Sequence, residues 1–128
     1  MMLTLPIAKK WFDMILAEDP KQRKLDEYRE WNEYWGKRFA KVLGFHDMPM
    51  MDEFLKRRAQ MGKQSDPFQV RYRNGYSGNS PSFKAKVSLS IGKGREEWGA
   101  ETGKEYYRLH IIDIQDIRNY KTYNIYKT

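Results

Sequence analysis

The chain has 128 residues, of which 40% are hydrophobic and 15% aromatic, so it is long enough for one well-cored domain and too short for two. It contains no cysteine, which excludes a disulfide scaffold, a thiolate metal site and a cysteine nucleophile. No apolar stretch is long enough to span a bilayer, and the first residues lack the pattern of a secretory signal, so we expect a cytoplasmic protein without membrane contact.

The first half of the chain carries the periodicity of helices between short extended segments. Apolar residues at i,i+4 spacing predict a helix over 9–18, which Pro20 ends because proline disfavours helical geometry in the residue before it. Acidic residues early, basic residues late and Gly62 at the end predict a second helix over 47–62. The remaining segments are a short strand over 3–6, a segment at 24–30 that fits a helix or a strand, and an irregular or short helical element over 31–42.

The second half changes to the two-residue period of half-buried strands. Residues 68–73 and 83–91 alternate apolar and polar side chains, and pairing them as a hairpin would give an apolar inner face and a basic, hydroxyl-rich outer face. In the last predicted strand, 106–117, the apolar positions change parity between Ile111 and Ile112, which indicates a β-bulge or a strand that bends between two parts of a barrel. The order of elements predicts one α+β domain over residues 1–118 with a small barrel or curled sheet, followed at 119–128 by a tail or an extra strand.

The positive charge is concentrated in one stretch of the chain. The formal net charge is +7, and residues 67–95 contain six basic side chains and no acidic one. Phosphates respond to local potential, so this stretch predicts a nucleic-acid surface, while the alternative is a basic face kept for solubility. The loop 74–82 carries small donors and one aromatic residue that can stack a splayed base. The residues expected to contact RNA on this surface are Arg71, Arg73, Asn74, Tyr76, Lys84 and Lys86.

Several short motifs follow one another in an order that is typical of one domain family. They are Leu-Thr-Leu-Pro at 3–6, Trp-Phe-Asp-Met-Ile-Leu at 11–16, Lys-x-x-Glu-x-Arg at 24–29, Arg-Asn-Gly-Tyr at 73–76, Ser-Pro at 80–81 and Gly-Lys-Glu-Tyr-Tyr at 103–107. In this order they resemble the ASCH domain family, which is similar to PUA domains, and in particular its small bacterial and phage members. The resemblance covers about residues 3–117. It implies a mixed β-barrel of about five or six strands flanked by helices, with a cleft for RNA or a nucleobase-like ligand.

The resemblance directs attention to Lys24, Glu27 and Arg29. On a regular strand Lys24 would face away from the other two, so all three converge only if Lys24 lies on the preceding turn or a bulge intervenes. A converging site offers Arg29 as a fixed cationic fork, Glu27 as an acceptor for base N–H groups and Lys24 as a mobile charge for phosphate. The alternative is an exposed strand with ordinary ion pairs. Gln22 stands where the family motif has glycine, and the connection 17–23 is longer, so we expect Lys24 on a more flexible, displaced loop.

The leading interpretation is a non-catalytic ASCH module that binds RNA or a nucleotide-like ligand in a basic cleft, with no metal and no cofactor. The rival is a small metal-independent hydrolase, since some ASCH relatives are amidohydrolases of acylated cytidine that use a lysine, a threonine and a glutamate. Lys24 matches that lysine, and Glu27 stands in the threonine position. Glu97 and Glu101 are the candidates for the glutamate. A protein-interaction module is the third possibility.

Two further features allow both a structural and a functional interpretation. Trp31, Tyr34 and Trp35 follow directly after the Lys-x-x-Glu-x-Arg motif, where they would wall the cleft, although rings of this size more often lie in a core. His46 and His110 are the histidines that a ribonuclease, the other activity proposed for ASCH proteins, would need for acid–base chemistry. They lie too far apart in sequence for a compact zinc motif, and a lone histidine is more often structural or solvated.

Overall fold

The fold is α+β, as the sequence predicts. A computed structural model describes residues 2–120 of the chain. Within them the elements follow the order β1 (Leu3–Pro6), α1 (Lys9–Ile15), β2 (Asp26–Glu30), α2 (Glu33–Leu43), α3 (Met48–Gln60), β3 (Phe68–Arg73), β4 (Ser82–Lys93), a short 3-10 turn (Glu96–Trp98) and β5 (Glu105–Arg118). The ambiguous segment at 24–30 is therefore a strand from Asp26 onwards, and the aromatic-rich segment after it is a regular helix. Most of the predicted tail, residues 121–128, lies outside the described residues.

The five strands form one mixed sheet in the order β1-β3-β4-β5-β2. Only β1 and β3 pair in parallel, and the other three ladders are antiparallel. Strands β1 and β2 are thus the edges of the sheet, and strand pairing within residues 2–120 does not close it into the expected barrel. The two edges nevertheless approach each other, because Arg29 Nη2 of β2 donates a hydrogen bond to the Pro6 carbonyl of β1.

The predicted change of parity in β5 is a β-bulge. Lys86 of β4 faces Asp113 of β5, whereas the next residue, Val87, faces Ile111, so Ile112 is the extra residue. The bulge lets Ile111 and Ile114 both pack against the core although their positions differ in parity. Without the extra residue, one of the two would face away from the core.

Helices α2 and α3 cover the apolar face of the sheet and begin at side-chain caps. Asn32 accepts a hydrogen bond from the Trp35 backbone N–H, and Asp47 accepts one from Met50, so each helix start has a satisfied donor. Their inward faces contribute four buried residues to the core, namely Phe39, Ala40, Met51 and Leu55. Within residues 2–120, no helix has both the length and the apolar character needed to cross a membrane.

Candidate functional site

A cleft of about 350 Å³ opens between the two edges of the sheet. Its walls are the end of β1 with the residues that follow, helix α1, strand β2, helix α2 and the connection between β4 and β5. The lining brings together the three predicted site residues Lys24, Glu27 and Arg29 and five aromatic side chains, Trp11, Tyr28, Trp35, Trp98 and Tyr106. Lys24 joins the other two because it precedes β2 instead of lying on it, which is the geometry that convergence required.

Lys24 is held inside a group of aromatic rings. Its Nζ donates to the Asp26 carbonyl and lies 4.8 Å from the ring centre of Tyr28, 5.3 Å from that of Trp11 and 5.9 Å from that of Trp98. Only 1% of the residue is exposed to solvent. The ammonium is therefore positioned by cation–π contacts and by a backbone acceptor.

The longer connection does not displace Lys24 from the cleft, contrary to expectation. The longer connection folds into turns in which the Gln22 N–H donates to Asp19 O and Arg23 Nε donates to Ala17 O, both at 3.0 Å. The Lys24 N–H in turn donates to the carbonyl of Met14 in α1 at 2.9 Å. The extra residues are thus folded against the end of α1 and leave Lys24 fixed.

Burial also changes the acidity of Lys24. Desolvation lowers its pKa from 10.5 to about 8, although the nearby carboxylates of Glu27 and Asp26 oppose the shift. At pH 7 about one-tenth of the amine is then neutral. The cleft therefore contains an amine that can act as a base near physiological pH.

Glu27 and Arg29 form a nearly buried ion pair on the inner side of β2. The Arg29 Nε and a Glu27 carboxylate oxygen lie 2.8 Å apart, and the side chains are 10% and 8% exposed. The guanidinium also lies 4.9 Å from the ring centre of Trp35 and donates to Pro6 O at 2.6 Å. Arg29 is thus the fixed fork that the sequence predicts, but its contacts are within the protein.

The cleft is not the basic cleft that the sequence led us to expect. Its lining contains the cations of Lys24 and Arg29 and the carboxylates of Glu27, Glu30 and Glu101, and Lys104 lies 2.8 Å from Glu30 and 3.9 Å from Glu101. The acidic and basic side chains at the cleft are therefore equal in number, so a phosphate inside it would meet no excess of positive charge. The lining is better suited to an uncharged aromatic group.

The free edge of β2 adds backbone groups to the cleft. The Leu25 carbonyl accepts from the Ile111 N–H of β5 at 2.9 Å, and in an antiparallel ladder every second residue points to the same neighbour. The backbone groups of Asp26 and Tyr28 therefore point away from β5, towards the cleft. The Asp26 carbonyl already accepts a hydrogen bond from Lys24. The N–H and C=O of Tyr28 therefore remain as a donor and an acceptor beside the aromatic rings.

Of the predicted aromatic cluster only Trp35 lines the cleft. Trp31 is half-buried against the core and donates from Nε1 to Asp52 at 3.0 Å, and Tyr34 is 56% exposed outside the cleft. The cleft rings that the sequence analysis missed are Trp11, Tyr28, Trp98 and Tyr106. Trp11 has helical spacing to Ile15, which indicates a helix but no cleft, and Trp98 follows no periodic pattern at all.

Arg71 is not the exposed cation that the alternating pattern predicts. It is only 8% exposed, pairs with Asp116 at 2.5 Å and donates to Ser82 Oγ at 3.0 Å. The strand register explains the burial of Arg71, because β4 and the end of β5 flank the outer face of β3 at this position. Of the other cations of the predicted basic surface, Arg73 and Lys84 are half-buried and Lys86 is exposed.

The loop between β3 and β4 places Asn74 and Tyr76 differently. Asn74 Nδ2 donates to the Ile7 carbonyl at 2.9 Å and so ties the loop to the segment after β1. Tyr76, two residues later, is 94% exposed. It does not pack back as a loop anchor, so its ring is free to stack.

His110 belongs to a partly buried network that has the connectivity of a hydrolytic triad. Its Nδ1 lies 2.8 Å from an Asp26 carboxylate oxygen and its Nε2 lies 2.8 Å from Ser90 Oγ. Ser90 is only 2% exposed, and its hydroxyl also accepts a hydrogen bond from Arg108 Nε at 3.0 Å. A substrate therefore has no approach to the Ser90 hydroxyl. The network is structural, and neither His110 nor the exposed His46 lines the cleft.

The described part of the chain offers no ready metal site, since residues 2–120 contain no group of three histidine, aspartate or glutamate side chains that could hold an ion.

The comparisons with known proteins add no relative: neither a protein-family model, nor a curated protein, nor a solved structure matches this chain.

Proposed function

We propose that the chain is an ASCH-type, PUA-like domain whose cleft binds the base of a nucleotide. The observation that carries the proposal is the convergence of Lys24, Glu27 and Arg29 on one aromatic-lined cleft of about 350 Å³. Nothing in the spacing of these residues alone required it. The curled five-stranded mixed sheet, with helices on its apolar face and its edges meeting at Arg29 and Pro6, is consistent with a small open barrel of this type.

The chemistry of the cleft matches that of a nucleobase. A base is flat, with two π-faces and an edge of alternating donors and acceptors. Trp11 and Trp98 line the cleft, and a base that stacks on them would replace the cations of Lys10 and Arg95, which lie 4.6 Å and 4.5 Å from their ring centres. The N–H and C=O of Tyr28 offer the pair of backbone groups that the edge of the base requires. Stacking on protein rings typically contributes about 1–3 kcal/mol per base.

The phosphate of such a ligand would stay outside the cleft. The cleft has no excess of positive charge, because Lys104 is paired with Glu30 and Glu101, whereas Arg73 lies in register with Pro6, which lines the cleft. The exposed cations of β3 and β4 then supply the salt-dependent part of binding. In this arrangement the base provides selectivity and the surface provides charge.

The test is a titration with the four ribonucleoside 5′-monophosphates, monitored by two-dimensional NMR and by calorimetry. We expect binding of at least one of them, with shifts at Lys24, Tyr28 and Trp98. Trp98→Ala should weaken it about 5- to 150-fold, which is the equivalent of one stacked base.

Met61→Ala is the matched control, because Met61 is 60% exposed beyond the end of α3 and does not line the cleft. It should bind with wild-type affinity, and circular dichroism should show both variants folded. The absence of binding by all four nucleotides at millimolar concentration would overturn the proposal, as would unchanged affinity in Trp98→Ala.

The lowered pKa of Lys24 favours one second candidate, a hydrolase of acylated nucleosides such as acylated cytidine. In it the neutral amine of Lys24 would take the proton of an attacking water. Of the two glutamates considered for this mechanism, Glu101 lines the cleft, whereas Glu97 pairs with Arg95 at 2.9 Å outside it. Glu27 is bound by Arg29 and stands where a hydroxyl would be needed.

This activity predicts turnover of N4-acetylcytidine that rises with pH as Lys24 loses its proton, through about pH 8. Lys24→Met should abolish the turnover, whereas Lys21→Met, which changes an exposed lysine in the same connection, should retain it. A wild-type protein that hydrolyses none of a panel of acylated nucleosides would exclude this candidate and leave the binding function.

A further inference from the structure

A second hollow of about 440 Å³ adjoins the nucleotide cleft. It is lined by Pro6, Ile7 and Ala8, which also line the cleft, and by Asn74, Gly75 and Tyr76. These three shared residues, Pro6–Ala8, therefore form a ridge between the cleft and the second hollow. A ligand that leaves the cleft across this ridge enters the second hollow.

The loop that presents Tyr76 is held in place by its own hydrogen bonds. The Asn74 N–H donates to Pro81 O at 2.9 Å, the Ser77 N–H donates to Ser80 Oγ at 3.1 Å, and the Ser80 N–H donates back to Ser77 O at 3.0 Å. Gly75 adopts φ +124°, where Ser80 Oγ leaves no room for a Cβ. The backbone of the loop is thus fixed, while the Tyr76 ring stands in solvent.

A fixed but solvated aromatic ring beside a hollow is the arrangement of a stacking platform. Its hollow differs from the cleft in charge, since its lining contains no acidic residue. Two cations lie near the ridge: Arg73 is opposite Pro6 in the β1–β3 ladder, and the exposed Lys10, two residues beyond Ala8, has its Nζ 4.6 Å from the ring centre of Trp11. Negative charge is therefore favoured at the ridge over the interior of the cleft, where acidic and basic side chains balance.

We infer that the ligand is a single-stranded nucleic acid of at least two nucleotides, with one base in the cleft, the next base stacked on Tyr76, and the phosphate between them on the ridge near Arg73 and Lys10. This inference rests on the proposed function, because the first base occupies the cleft. A duplex does not fit, since its bases are already stacked on one another and cannot reach two separate hollows. The same chemistry applies to RNA and to single-stranded DNA.

The experiment compares mononucleotides with dinucleotides. The four ribonucleoside 5′-monophosphates and the corresponding homodinucleotides, in ribose and deoxyribose forms, are titrated by calorimetry. We expect the dinucleotide of the best-bound base to bind about 5- to 150-fold more tightly than its mononucleotide, because one more base is stacked. Tyr76→Ala should remove this gain and Tyr76→Phe should keep it.

Asn79→Ala is the matched control on the same exposed loop, since the Asn79 side chain makes no hydrogen bond within the described residues. It should bind both ligands as the wild type does. Arg73→Gln should weaken the dinucleotide and lower the slope of log K against log salt by about 0.7, the value for one lost contact to a single-strand phosphate.

The outcomes separate the two proposals. If no mononucleotide binds, the cleft function itself is wrong. If a mononucleotide binds but the dinucleotide gains nothing, or gains equally in Tyr76→Ala, the second subsite is wrong while the cleft function stands. A duplex of the same sequence that binds as tightly as the single strand would also overturn the inference. An equal gain for ribose and deoxyribose dinucleotides supports recognition through stacking and phosphate, and a gain confined to one sugar supports the subsite for that nucleic acid alone.

Discussion

Arg29 and Pro6 join the two edges of the sheet, because the guanidinium Nη2 of β2 donates to the backbone carbonyl of β1 at 2.6 Å. A side chain thus connects strands that share no ladder. The same guanidinium neutralises Glu27, which is nearly buried, and lies against Trp35 in the cleft wall. The guanidinium of Arg29 therefore connects the two edges of the sheet and forms part of the cleft wall.

Arg29→Met is expected to lower the free energy of unfolding by about 3–5 kcal/mol, since it leaves the Glu27 carboxylate buried without its partner. Urea denaturation followed by tryptophan fluorescence measures the change. Adding Glu27→Gln should restore part of the loss, because the double variant no longer buries a charge. Arg38→Met, at an exposed arginine of α2, is the control and should cost less than about 1 kcal/mol. A similarly small cost for Arg29→Met would show that the bridge does not stabilise the fold.

The sequence predicted those features that local periodicity determines. The parity change at Ile111 and Ile112 indicated the bulge, because side chains alternate strictly along a strand and a shift requires an extra residue. The convergence of Lys24 with Glu27 and Arg29 was predicted conditionally, on the requirement that Lys24 precede the strand. Both depend on residues that are neighbours in the chain.

Features that depend on distant segments were not predicted. Alternation correctly placed Arg71 on the polar face, but it carries no information about Asp116, which lies 45 residues away in sequence and pairs with it. Trp98 reaches the cleft through an aperiodic connection, so neither its burial nor its direction has a local signal. The prediction of a basic cleft lacked the same long-range information, since Glu101 comes from that connection and lines the cleft.

The lowered pKa of Lys24 predicts that the protein becomes more stable on mild alkalinisation. Between the folded value of about 8 and the unfolded value of 10.5, the unfolded chain binds more protons at this site, so stability rises with pH. Relative to Lys24→Met, the wild type should gain about 2 kcal/mol between pH 7 and pH 9.5. The window stops there because the raised pKa of Tyr72 and Tyr107 gives the opposite trend above pH 10.

Urea denaturation of wild type, Lys24→Met and the exposed-site control Lys21→Met at pH 7, 8, 9 and 9.5 measures this effect. Lys21→Met should follow the wild-type curve, which shows that the trend belongs to the buried amine. Parallel curves for all three proteins would contradict the assignment of the shift to Lys24.

The contacts of His110 predict its tautomer. The Asp26 carboxylate accepts only, so the neutral ring must carry its hydrogen on Nδ1, and Nε2 then accepts from the Ser90 hydroxyl. Long-range ¹H–¹⁵N NMR at a pH where the ring is neutral should show the Nδ1–H form, and finding Nε2–H would refute this assignment.

Ser90→Ala should lower the free energy of unfolding by about 1–3 kcal/mol, because His110 Nε2 and Arg108 Nε both lose a buried partner.

Asp116 predicts a contribution to acid sensitivity. Hydrogen bonds from Arg118 and from Arg71 hold the pKa of its carboxyl below the usual range, so its stabilising effect is complete above the unfolded pKa and is lost as the pH falls through the folded value. Asp116→Asn isolates this charge, because asparagine tolerates the φ of 50° found there. The variant should be less stable than the wild type at pH 7, and the difference should shrink between pH 5 and pH 2 as the wild-type carboxyl is protonated.

Asp66→Asn is the control, because it removes a fully exposed carboxyl whose nearest cation is 3.9 Å away. It should leave the loss of unfolding free energy at acidic pH unchanged. If the wild type and Asp116→Asn keep the same difference down to pH 2, the carboxyl at Asp116 is not what holds Arg71 against the sheet.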